Sequence, residues 1–156
     1  MEIRSQFVRE LPRDIYLQMY RLNYRRDGLM RDELVSARTT KNAWQYMNYR
    51  VIYFIENNLV LSWCLFMPGA AERYTCTLAR FGSLAVPRTQ RLEKVVDLYF
   101  WTRAKYRKQG LGTKIGIYAT HLCTQLQLGV CKVHPHDYGS RKMMIGIADA
   151  GCTVRE

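Results

Sequence analysis

What most restricts the fold of this chain is the stretch from Val95 to Leu126, VVDLYFWTRAKYRKQGLGTKIGIYATHLCTQL. Residues 95–102 are β-branched, aromatic and apolar on both faces, the pattern of a strand buried in mid-sheet. Leu111, Ile115, Tyr118, Leu122 and Leu126 then recur at helical spacing, which predicts a helix carrying them on one face. Between strand and helix lies Arg107-Lys108-Gln109-Gly110-Leu111-Gly112, a basic turn with two glycines. The first amides of a helix have no intrahelical acceptor, and the helix dipole adds partial positive charge there. A strand, a glycine turn and a helix N-terminus in that order make an anion site, most naturally for phosphate.

Several families share this outline, and spacing separates them. A Walker A loop needs Gly-Lys followed by Ser or Thr, whereas Gly110 is followed by Leu111. A Rossmann fingerprint fits through Gly110, Gly112 and Gly116 only with its last gap one residue too long. Its acidic ribose-binding residue is also missing, since no Asp or Glu occurs between Asp97 and Asp137. The remaining pattern, Arg107-x-x-Gly110-x-Gly112 after an apolar strand, resembles the acyl-CoA pyrophosphate loop of the GNAT acetyltransferase superfamily.

Composition sets outer bounds. At 156 residues the chain is expected to form a single domain over 1–156 with a sizeable core, and 48% hydrophobic residues with 11 Tyr argue against disorder. No apolar run approaches membrane-spanning length, and MEIRSQFVRE has no apolar signal core, so no membrane association and a cytoplasmic location are expected. Five Cys without CxxC or Cys/His ligand spacing predict reduced, mostly buried thiols and no metal site. The net charge of +11 reads either as a solvated basic surface or as complementary to a polyanion. CoA accounts for a local cluster of cations; an acidic macromolecular partner, nucleic acid or protein, would account for the rest.

In chain order, residues 2–8 alternate loosely as a modest first strand. Pro12 and Asp14 open a helix with Ile15, Met19 and Leu22 on one face. Tyr16, Tyr20 and Tyr24 stack beside them, either packing core and rim or bordering the acceptor cleft that the resemblance implies. Arg25-Arg26-Asp27-Gly28 should end that helix, and a weaker one covers residues 31–49 with a break at Thr39-Thr40. Residues 50–56 and 59–67 form a hairpin through Asn57-Asn58, closed by Pro68-Gly69. Residues 74–81 read as an additional strand or hairpin arm, and residues 87–94 as a polar loop. Residues 129–134 predict a short strand stopped by Pro135. Residues 140–150 predict a last helix with Met143, Ile147 and Ala150 on one face, and the tail from Cys152 a stub of strand.

The order is that of an α/β fold. It implies a GNAT-like mixed central sheet, antiparallel in its first half, parallel between the fourth and fifth strands, flanked by helices and short at the C-terminus. Residues 70–92 exceed what the family needs, and its seventh strand is missing. The sheet edge so exposed would be covered by a partner subunit, a second copy in a homodimer.

The resemblance implies direct attack of an amine, on a small molecule or a protein, on the thioester of acetyl-CoA, with CoA as cosubstrate. By the same resemblance the amides of Lys108, Gln109, Gly110, Leu111, Gly112 and Thr113 wrap the pyrophosphate, with Arg107 opening the loop. Arg103, Lys105, Lys108 and Lys114 add positive potential. Trp101 and Thr102 fall where the strand backbone holds the pantetheine arm, and Ser140 replaces the family's helix-opening Asn. The motif's frequent acid is replaced by Tyr99. Asp97, two residues earlier on the same strand face, either activates the amine or is an exposed strand-entry residue. Glu56 and Glu72 are weaker candidates for the base.

The family's tyrosine acid falls on Ile147, which cannot protonate a thiolate; Tyr138, His136 or solvent remain for that step. His134-Pro-His136-Asp137 is an incomplete ligand set for a metal; its His136 can serve acid–base chemistry, and its Asp137, or Ser140, can cap the last helix. Cys131 either approaches the thioester or is a buried structural thiol. The sequence thus points to an N-acetyltransferase. Its alternatives are a catalytically weak protein on the same scaffold that modulates a macromolecular partner, and a nucleic-acid binder without a recognisable motif.

Overall fold

A computed structural model describes residues 1–22, 28–69, 73–81, 84–133 and 138–155, with side chains described except at 28–30, 73–81, 84–93, 138–140 and 155. The first half of the chain forms β1 (Glu2–Phe7), α1 (Arg13–Leu22), α2 (Gly28–Thr39), α3 (Trp44–Met47), β2 (Arg50–Glu56) and β3 (Leu59–Pro68). The second half forms β4 (Arg73–Phe81), β5 (Leu84–Glu93), β6 (Val95–Thr102), α4 (Leu111–Leu126), β7 (Val130–Val133), α5 (Tyr138–Asp149) and β8 (Val154–Arg155). Among the described residues six strands make one sheet in the order β1-β2-β3-β6-β7-β8, and β4 and β5 make a separate two-stranded ribbon.

The antiparallel half follows from local chemistry. Asn57 and Asn58 both take positive φ, at 48° and 62°, so β2 and β3 reverse through a two-residue turn whose twist suits a hairpin. A register shift between Phe54 and Ile55 lets Leu61 slip out of the β2 ladder, and its carbonyl accepts the Arg103 amide at 3.0 Å. β6 then pairs antiparallel with β3 from Pro68↔Val96 to Ser62↔Thr102, and parallel with β7 from Val95↔Val130 to Leu98↔Val133. The expected mixed sheet is present, the parallel pair being β6 and β7 because the ribbon precedes them. The C-terminal strand is the expected stub, β8, paired parallel to β7.

Alternation along the strands feeds two cores. Tyr53, Trp63, Leu65 and Met67 face α1 and α2 with Ile15, Met19 and Leu34, and Tyr99 and Trp101 pack at the margin. Cys64, Phe66, Val96 and Leu98 face α4 with Leu111, Ile115, Ala119 and Cys123. β3 is buried on both faces for most of its length, which explains its unbroken apolar run.

Several expectations shift. Within α4 the buried stripe is Leu111, Ile115, Ala119 and Cys123, while Tyr118 and Leu126 are 37% and 43% exposed. That stripe packs on the sheet, and α5 approaches the helix closely beside it. A Cβ on Gly116 would lie 2.2 Å from Ile147 Cδ1, and one on Gly146 would lie 2.9 Å from Thr113 Cγ2. Gly28 begins α2 instead of capping α1, and the preceding Arg25, Arg26 and Asp27 lie outside the described residues. The second helix does break after Thr39, into α2 and α3. Residues 87–94 are not a loop: they belong mainly to β5, where Pro87 sits opposite Leu78 beside a register shift at Thr77/Leu78. An irregular ladder position spares the N–H that proline lacks.

The α4–α5 contact gives a first prediction. Gly116→Val should cost about 2–3 kcal/mol, because Ile147 is fully buried and has nowhere to retreat. Urea unfolding of the variant measures it; an unchanged midpoint would mean that the helices do not touch there.

Candidate functional site

The turn between β6 and α4 is built without side-chain satisfaction of its amides. Lys108 and Gly110 adopt positive φ, 62° and 76°, which swings the backbone round into the helix. Gly110 is the N-cap residue of α4; no side chain caps the helix and no acid occupies its first turn. The first intrahelical bond runs from the Lys114 amide to the Gly110 carbonyl at 3.1 Å, so the amides of Leu111, Gly112 and Thr113 precede the ladder. Lys108, Gln109 and Gly110 are exposed, as are Lys105 and Lys114. An uncapped N-terminus on a helix of this length, ringed by lysines, is suited to an anion with several oxygens.

The cations divide into two groups. Arg103 is half-buried, donating from Nε to the Val60 carbonyl at 2.5 Å and from its guanidinium to Gln18 Oε1 at 3.2 Å. It ties the end of β6 to β3 and α1, a structural task the sequence did not indicate. Arg107 turns back over the Trp101 ring at 5.7 Å and donates from Nε to the Thr102 carbonyl at 3.1 Å. Lys105, Lys108 and Lys114 are left to shape the potential over the turn. Gly112 also differs from expectation. Its Cα faces α5, where an added Cβ would meet Met143 Sδ at 2.8 Å, so helix packing contributes to the need for glycine there.

β6 itself presents two different faces. Val96, Leu98 and Phe100 point toward α4, whereas Tyr99 and Trp101 pack on the α1–α2 side, and alternation puts Asp97 with them. Among the described residues the β7 ladder stops at Leu98↔Val133, while β3 stays paired through Thr102. Tyr99, Trp101 and Thr102 therefore lie beyond the described β7 register, and Ser62 Oγ braces that end at 2.7 Å from Thr102 Oγ1. The amide-rich turn and the Asp97 face lie on opposite sides of the sheet.

Asp97 is half-buried and in register with Met67 on one side and Lys132 on the other. It is not the exposed strand-entry residue of the alternative reading. Lys132 carries no signal of its own in the sequence, and only strand register brings it to Asp97. Glu56 is at the exposed end of β2, 3.7 Å from the Met1 amino group. Glu72, His134, His136 and Asp137 lie outside the described residues, as do the side chains of Tyr138 and Ser140, whose backbone forms the first turn of α5.

Ile147 is fully buried against Gly116, so nothing at that position can reach a ligand. Tyr16 and Tyr20 stack at 6.2 Å with Arg38 over the Tyr16 ring at 4.5 Å and Arg31 over the Tyr20 ring at 3.8 Å; Tyr24 is outside the described residues. Burial raises the Tyr16 phenol above its usual range, in keeping with packing against the core. Cys131 is buried, and the Cys123 thiol together with burial pushes it well above the usual thiol range. Among the described residues no helix is long and apolar enough to cross a membrane, and no group of three His, Cys, Asp or Glu could hold a metal ion.

The sequence matches no protein-family model and no curated protein. Solved structures share its fold. A tetramutant of the BH1408 protein from Bacillus halodurans superposes with a TM-score of 0.57 at 13% identity, covering 100% of this chain and 96% of the other. An aminoglycoside acetyltransferase from an uncultured soil metagenomic sample, in complex with trehalose, gives 0.56 at 13% identity over 99% and 90%. A conserved protein of unknown function from Enterococcus faecalis, a probable N-acyltransferase, gives 0.52 at 10% identity over 91% of this chain and 31% of its own. The architecture, a mixed sheet with helices on both faces, is the fold that these solved structures share.

Proposed function

We propose that this chain is a single-domain, cytoplasmic N-acetyltransferase that binds acetyl-CoA on the β6–α4 turn and transfers its acetyl group to an amine by direct attack. One observation carries the reading: α4 begins with amides that no side chain caps, just after a mid-sheet strand and with exposed lysines around them. The amides of Lys108 through Thr113 would take the pyrophosphate oxygens, with Arg107 holding the turn against Thr102. The pantetheine arm would run along Trp101 and Thr102 as an added strand does, bringing the thioester to the opposite face of the sheet. There Asp97 would accept the amine proton, directly or through a water, with Tyr99 and Trp101 walling the acceptor. The leaving thiolate would take its proton from Tyr138, His136 or solvent, since Ile147 is sealed in the core.

Titration calorimetry with acetyl-CoA tests the binding half, and thiol release across a panel of amines tests turnover. Asp97→Asn should lower turnover about 100-fold while leaving acetyl-CoA affinity unchanged. Equal rates in the variant would acquit the carboxylate. The burial of Ile147 favours one second reading, a scaffold that binds acetyl-CoA and an acidic macromolecule with little turnover. Tight binding without thiol release for any amine would select it.

A further inference from the structure

A second chemical centre lies at the other end of α4. A cavity of about 360 Å³ opens between the C-terminal half of that helix and the β7–β8 end of the sheet, lined by Cys123, Cys131, Cys152 and His121 among others. Cys152 is half-buried, and its Sγ lies 3.7 Å from His121 Nε2 on the exposed face of the helix. Deeper in, Cys123 Sγ and Cys131 Sγ are 3.0 Å apart, with both residues 2% exposed or less. The pair joins α4 to the second strand of the parallel ladder, and all three thiols are free. This arrangement is unlike a lone reactive cysteine: an accessible thiol beside a base shares a cavity with two further thiols already in contact.

We infer that this cavity is a hydroperoxide-reactive site, with Cys152 as the attacking thiol, His121 as its proton acceptor and Cys123–Cys131 as the pair that ends up oxidised. His121 takes the Cys152 proton, and the thiolate attacks the nearer peroxide oxygen. The O–O bond breaks, giving Cys152 sulfenic acid, and the departing oxygen leaves as water with the proton returned from His121. The Cys131 thiol then displaces water from the sulfenic sulfur, forming a Cys131–Cys152 disulfide. Cys123, in contact with Cys131, attacks the Cys131 sulfur and releases Cys152 as a thiol. Per peroxide, two thiols are oxidised and two waters leave. Cys152 is the first attacker because it is the half-buried thiol at the cavity, whereas Cys131 is 1% exposed.

The test treats the reduced full-length chain with stoichiometric hydrogen peroxide, quenches with an alkylating agent and maps cysteines by peptide mass spectrometry. The expected product lacks two hydrogens in a cross-linked peptide joining Cys123 to Cys131. Cys152→Ser should slow its formation at least about tenfold, and Cys123→Ser should halt the reaction at a Cys131–Cys152 disulfide. His121→Gln should slow the first step while leaving the product the same. Cys152 and His121 are not core residues, so circular dichroism should show both variants folded. Wild-type rates in Cys152→Ser, sulfenic acid trapped first on another cysteine, or no Cys123–Cys131 cross-link would each overturn the assignment.

Discussion

Alanine at Gly129 is expected to remove roughly 3–5 kcal/mol of stability, lowering Tm by about 10 °C or more in a chain of this size. Gly129 has φ of +109°, where an L side chain is strained, and its Cβ would lie 2.1 Å from the Lys94 carbonyl oxygen and 2.5 Å from its carbon. That neighbour is backbone and cannot rotate aside. The same carbonyl accepts the Val130 amide at 3.0 Å, the bond that starts the parallel ladder between β6 and β7. Relieving the clash therefore shifts the register that places Leu98 opposite Val133. Gly151 supplies the control, because its φ is +82° but nothing lies within 4 Å of an added Cβ. Gly151→Ala should lose only about 1 kcal/mol, from backbone strain alone. Chemical denaturation of both variants decides it: equal losses would show that Lys94 does not crowd Gly129.

Features written in contiguous residues are legible in the sequence itself. Asn57-Asn58 specifies the hairpin because the turn type demands positive φ at both positions. The apolar run of β6 and the glycines after it specify a mid-sheet strand and an uncapped helix, and these position the candidate site. Tertiary pairings are not legible. Arg103 reads as one more cation on the turn, yet its partners Val60 and Gln18 come from β3 and α1. Periodicity misplaces the apolar stripe of α4 because Ala119 and Cys123 weigh little in it, although both are buried against the sheet, and Gly116 is required by the close approach of α5. β5 is hidden by Pro87, whose tolerance depends on a ladder irregularity in its partner strand. The thiol cavity escapes for the same reason: His121, Cys123, Cys131 and Cys152 follow no ligand or redox spacing and meet only through the fold.

Reversing the charge of the two exposed lysines flanking the turn, Lys108→Glu with Lys114→Glu, should weaken acetyl-CoA binding on the order of 100-fold at low salt. Each substitution removes an attraction to the proposed phosphates and adds a repulsion. At separations of about 6 Å in a solvent-like dielectric such changes are worth roughly 0.7 kcal/mol per charge product, and with each lysine facing one singly charged phosphate the reversals together reach about 3 kcal/mol. Neither lysine has a described ion pair or hydrogen bond to lose, and both are exposed, so the fold should survive. Because the effect is electrostatic at a wet surface, it should shrink several-fold as salt is raised through the range where the Debye length falls below about 10 Å. Net charge alone is controlled by Arg21→Glu with Lys41→Glu, two exposed cations on α1 and after α2, which changes the total charge by the same amount. If the loop places phosphate on α4, only the first pair loses affinity. Comparable losses in both pairs would mean that the cofactor feels the basic surface as a whole, and undiminished binding in the first would remove the anion site from this turn.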